Sequence, residues 1–117
     1  MMDYSKLNDF EINKLAAEIS YSPALSLQVE RDVPGRDSVT IFADLGDSDE
    51  LVSIACKDYC NNPADAWAII RENKISIEFY DCGLCLAFSL NNMQFNAEDK
   101  NPLRAAMIVF LMMQESE

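Results

Sequence analysis

The chain has 117 residues, the length of one domain, enough to bury roughly two-thirds of its unfolded surface without a staple. Half of its residues are apolar and 25% are charged, which places it among globular proteins and outside the disordered class. Twenty Asp and Glu stand against nine Lys and Arg, with no histidine, and a net charge of −11 excludes direct nucleic-acid phosphate binding and docking on acidic membranes.

The opening MMDYSKLNDF has no basic region followed by an apolar stretch, so no secretory signal is expected. The longest apolar run, Ala105 to Met113, is far short of the roughly 18 residues a membrane span needs. A cytoplasmic protein is the expectation.

Asn8 followed three residues later by Glu11 forms a capping box, with Leu7 and Ile12 placed as a hydrophobic staple. The helix that follows carries Ile12, Leu15, Ala16 and Ile19 on one stripe, opposite Asn13, Lys14 and Glu18, and ends near Tyr21 because Pro23 cannot continue it. Leu25, Leu27 and Val29 then alternate with polar residues, as do Val39, Ile41 and Ala43 with Thr40 and Phe42. Both segments predict half-buried strands. Val33-Pro34-Gly35-Arg36 between them suits a type II turn, so the pair is a hairpin. Asp44 to Glu50 is an acidic loop, and Leu51 to Cys56 is too short and mixed to assign.

Asn62 as cap, Pro63 at the first helical position and Asp65 near the positive end of the dipole start a second helix. Trp67, Ile69 and Ile70 are its expected buried residues, and Asn73 its stop. Ile75, Ile77 and Phe79 alternate, Asp81-Cys82-Gly83 turns the chain, and Leu84, Leu86, Phe88 and Leu90 alternate with Cys85, Ala87 and Ser89. This second hairpin has one strongly apolar face. Met93 to Phe95 follows the Asn91-Asn92 turn as a short edge strand. Asn101-Pro102 then opens a last helix so apolar that it must be buried at the centre of the fold. Leu103, Ala106, Met107, Phe110 and Met113 should lie on the sheet, with Ile108 and Met112 covered by another helix or a partner. The fold class is α+β: a mostly antiparallel sheet of two hairpins packed against three helices, in a single domain.

No enzyme is expected, because histidine is absent and the three glycines form no phosphate loop. Cys56, Cys60, Cys82 and Cys85 superficially match a four-thiolate zinc spacing, but Cys60 begins a helix and Cys82 and Cys85 flank a hairpin turn on opposite strand faces. They are expected as free thiols, with no metal and no cofactor. Two alternatives stay open: that zinc module, and a metal-dependent nucleotide or nucleic-acid enzyme drawing on Asp44, Asp47, Asp49 and Glu50. The favoured expectation is a non-catalytic module that binds a protein partner, itself a monomer or weak homodimer. The exposed parts of Asn61, Asn62, Trp67 and Arg104 are its candidate face.

Three strings, MDYSKLNDFEINKLAA at 2–17, CNNPADAWAIIRENKISI at 60–77 and NPLRAAMIVFLMMQES at 101–116, resemble the NinX family of lambdoid phages and bacterial prophages, whose function is not established. The resemblance covers about half the chain and leaves out 22–58 and 79–98. It implies a phage-derived cytoplasmic protein from a gene set concerned with replication, recombination and antitermination. No catalytic residues come with it.

Overall fold

Capping residues set the helix starts that the rest of the architecture follows. The computed structural model describes residues 3–21, 26–44 and 50–115, so Pro23, Leu25, Asp47 and Asp49 lie outside the described residues. After a 3-10 turn at Tyr4–Lys6, helix α1 spans Asp9–Ser20. The Glu11 amide donates to Asn8 Oδ1 at 2.8 Å, and the Asn8 amide donates back to Glu11 Oε1 at 3.4 Å. This is the predicted reciprocal cap. Strands β1 (Ser26–Arg31), β2 (Val39–Asp44) and β3 (Val52–Lys57) follow. Helix α2 (Pro63–Glu72), strands β4 (Ile75–Phe79), β5 (Cys85–Ser89) and β6 (Asn96–Asp99), and helix α3 (Pro102–Glu115) complete the order.

The class is α+β, and the strands divide into two antiparallel sheets, β1-β2-β3 and β4-β5-β6. Each predicted hairpin gains a third strand. The segment left unassigned supplies β3, which pairs with β2 through an irregularity at Ile41/Phe42. The last strand begins one residue after the predicted Met93 to Phe95, because Phe95 closes the preceding turn by donating its amide to the Asn92 carbonyl. The type II turn forms as predicted: Gly35 has φ +84°, a conformation open to glycine, and the Arg36 amide reaches the Val33 carbonyl at 3.0 Å. At the end of α2, Asn73 caps with its side chain on the Ile69 carbonyl, while Lys74 takes the left-handed conformation, φ 53°.

Helices α1 and α3 lie between the sheets. Sheet β1-β2-β3 packs on α1, α1 packs on α3, and α3 packs on all three strands of the other sheet, with α2 beside α3. Seven consecutive residues of α3, Ala105 to Leu111, are buried, which makes it the central rod. Phe110 and Gln114 line a cleft with residues of α1 and α2. Ile108 and Met112 line a second hollow with residues of the 3-10 turn and β6. Helix α1 also buries more than its apolar stripe: Ile12 and Ala16 are joined in the interior by Ala17 and Asn13, while Ile19 stays 39% exposed. The cause is position, since α1 faces β1 and β2 on one side and α3 on another. A further difference concerns β5. Its small residues Cys85, Ala87 and Ser89 are the buried ones, and its bulky residues face away. A central strand under a helix full of large side chains has room only for small ones.

Candidate functional site

Seven polar side chains from distant parts of the sequence meet where α1, α2 and α3 begin. Asn13 of α1 is wholly buried. Its Nδ2 donates to the Asp37 carbonyl and to Asp58 Oδ1, each at 2.9 Å, and its Oδ1 accepts from the Cys60 amide at 3.0 Å. Asn101, the cap of α3, accepts from the amides of Leu103 (3.0 Å) and Arg104 (3.3 Å) and donates to the Cys60 carbonyl at 2.6 Å. One asparagine on α1 and one on α3 thus hold the two ends of the same peptide segment. The arrangement pins the β3–α2 connection to both helices.

Arg104 sits one turn into α3, and its side chain is 14% exposed. Nε donates to Asp99 Oδ2 and Nη1 to Asp9 Oδ1, both at 2.9 Å, while Nη2 reaches the carbonyls of Ser5 and Leu7 at 3.0 and 2.6 Å. The guanidinium therefore ties together the 3-10 turn, α1, β6 and α3. With four of its five N–H donors bonded inside the fold, it sits in charge pairs that are costly to break. Asn61 belongs to the same network through Asp9 Oδ2 at 3.3 Å, and its amide oxygen accepts from Asn101 at 3.3 Å. Among the described residues, no buried side-chain nitrogen or oxygen lacks a hydrogen-bond partner.

The four candidate residues thus separate. Asn61 and Arg104 are brought together, Arg104 facing inward. Asn62 is exposed and accepts from the Ala64 amide at 3.0 Å as the cap of α2. Trp67, expected in the core, is 60% exposed. The buried residues of α2 are Ala66, Ile69 and Ile70, so Trp67 points to solvent with Pro63, Ala64 and Arg71 exposed one turn to either side. Asn13 escaped notice because the period of α1 puts it on the polar side. Only contact with a second layer makes it interior.

Beside α2 runs an open cleft of about 440 Å³ whose floor includes Ile19, Ile69 and Phe110 and whose rim includes Lys57, Asp65 and Glu72. Asp65 accepts from the Asp58 amide at 2.9 Å and pairs with Lys57 at 3.6 Å. Tyr59 in its wall is 2% exposed, and burial pushes its phenol well above the usual range. Trp67 is not part of this cleft.

The cysteines are spread out. Cys60 and Cys85 are buried, Cys56 and Cys82 exposed, and all four are free thiols. Burial pushes Cys60 upward, followed by the nearby Asp9 carboxylate, and Cys56 is raised by desolvation and then by Asp32. Neither is a thiolate at neutral pH. Among the described residues, no group of three or more Cys, Asp or Glu is arranged to hold a metal ion. Asp44 and Glu50 flank a segment that contains Asp47 and Asp49, which are not described. No helix among the described residues is long and apolar enough to cross a membrane.

A family model described as Bacteriophage P22, NinX matches residues 3–114 and so takes in the first hairpin, β3 and β5, which the three similar strings leave out. No curated protein and no solved structure matches this chain.

Proposed function

The chain belongs to the Bacteriophage P22 NinX family, and from that membership together with the arrangement above we propose that it is a cytoplasmic, non-catalytic accessory module that binds another protein. The observation that carries this reading is Trp67, 60% exposed on a helix whose other large apolar side chains, Ile69 and Ile70, are buried. Tryptophan is the residue most enriched in the energetic centres of protein interfaces, and exposure of an indole on a rigid helix supplies contact area at low entropic cost. The side chains best suited to chemistry support the same reading from the other side. Asn13, Asn101, Asp9, Asp99 and Arg104 are consumed in holding the helix starts together.

The net charge of −11 gives the partner its character. A basic surface, such as the nucleic-acid-binding face of a phage or host protein, is the complementary one. Attraction of that kind speeds encounter and weakens with salt. Asn61 and Asn62, exposed at the mouth of α2, are proposed as outer polar contacts for such a partner.

The test uses the protein as bait in host lysate at low and high salt, beside a Trp67→Ser variant. The partner is expected on the wild type at low salt only, with retention by the variant reduced about tenfold or more, as for an interface hot spot. Because Trp67 is the single tryptophan, its emission also shifts to shorter wavelength when the purified partner binds. Equal capture by the two proteins, or no salt-sensitive partner, overturns the reading.

A further inference from the structure

The second sheet has one covered face and one open face. Register places Ile77, Ala87 and Ala97 in one row across β4, β5 and β6, and all three belong to the core beneath α3. The alternate residues therefore stand on the opposite side. There Ser76, Phe88 and Asn96 form one row, and Glu78, Leu86 and Glu98 form the next. Continuing the alternation along the central strand adds Leu84 at one end and Leu90, 60% exposed, at the other. The main packing on this sheet comes from α3, on the covered face, with α2 along β4. Four large apolar side chains thus run in a stripe down the middle of an open sheet face.

Carboxylates border the stripe. Glu78 and Glu98 are both exposed and flank Leu86 on its two sides. Tyr80 stands near both glutamates, and desolvation followed by those carboxylates pushes its phenol upward. Neighbouring strands lie about 4.8 Å apart, so the two glutamates are separated by about 10 Å, close to the width of an α-helix. We infer that this face is a docking groove for a basic amphipathic helix of a protein partner, its apolar side on Leu86, Phe88 and Leu90 and its lysines or arginines over Glu78 and Glu98. The inference rests on the protein-binding function proposed above and names a second contact surface and the form of the partner. Charge decides between occupants: a second copy of this chain brings another net −11 to the interface, whereas a basic helix neutralises its border.

The test uses a synthetic helical peptide of leucines at i, i+3, i+4 and i+7 with lysines elsewhere, beside a twin carrying glutamate for lysine. Binding is followed by NMR on the wild type, on Leu90→Lys, and on the double variant Glu78→Gln/Glu98→Gln. All three altered positions are exposed, and unchanged thermal melts confirm that the variants are folded. The expected result is shifts confined to β4, β5 and β6, at least about fivefold weaker binding by each variant, and none of the acidic twin. Equal binding by all three proteins, shifts scattered over the acidic surface, or no binding overturns the inference. So does a concentration-dependent dimer that Leu90→Lys abolishes, because a second copy then covers the face. If a partner is captured from lysate through Trp67 but Leu90→Lys and the peptide have no effect on this sheet, only this inference fails.

Discussion

Single residues carry much of the division between scaffold and surface. Cys60 lies against the Asp9 carbonyl in the interior, and Cys85 against that of Lys100, each sulfur 4.0 Å away, whereas Cys56 and Cys82 are exposed. A thiol reagent should therefore modify Cys82 first, Cys56 more slowly because its pKa is raised, and Cys60 and Cys85 only on unfolding. The same burial makes stability depend on pH. In the unfolded chain a thiol ionises near pH 8.5 and a phenol near 10, while the folded protein holds the protons of Cys60 and Tyr59 to higher pH. The folded state then binds more protons than the unfolded one. Stability is full below about pH 8.5 and falls as pH rises beyond it, which thermal melts from about pH 7 to pH 10.5 measure directly. A melting temperature that does not fall across that range contradicts the burial of these two groups. Nothing in the sequence marks which of the four cysteines are interior, because Cys56 and Cys60 stand in segments with no clear period. Cys85 is buried because the strand turns its small face inward.

At the level of elements, the punctuation of the helices was legible and their surroundings were not. Both Asn-Pro pairs start helices as expected, and the Asn8 box forms down to its reciprocal bond. Capping is local chemistry within four residues, so the string suffices to find it. The two Asn-Pro starts differ in what else the asparagine holds. Asn62 accepts from one amide, while Asn101 also donates across the fold to the Cys60 carbonyl. Asn62→Ala should cost about 1 kcal/mol, and Asn101→Ala about 2 to 3 kcal/mol, measured by denaturant unfolding. Equal costs would show that the cross-chain bond contributes nothing. Strand β3 was illegible because exposed Leu51, Val52 and Ile54 sit on an edge with a register irregularity, which scrambles the alternation. Trp67 illustrates the opposite limit. Large apolar residues on a helix are read as core, and the reading fails where the fold leaves the position uncovered, as at Trp67.

For the whole molecule, the arrangement is two sheets with α1 and α3 between them, 51 Å along its longest axis. An α+β class with a central last helix followed from a run of apolar residues too long to have a wet side. The division into two sheets did not follow, because alternation reports that a strand has two faces without saying which neighbour covers either one. The same gap hid the open face of β5. Every layer is fastened to α3 directly or through α1, and the two proposed docking features stand at the outside of that frame, on α2 and on the second sheet. The Bacteriophage P22 NinX match over residues 3–114 spans the frame and both outer features.

Native-state amide hydrogen exchange tests this arrangement most directly. The amides of Ala105 to Leu111 are buried in the rod and should exchange slowest of all, through global unfolding alone, while those of β3, Leu90 and the end of α2 exchange through local openings. Exchange in Ala105 to Leu111 as fast as in β3 would mean that the last helix is not the element holding the sheets together, and the account built on it would fail.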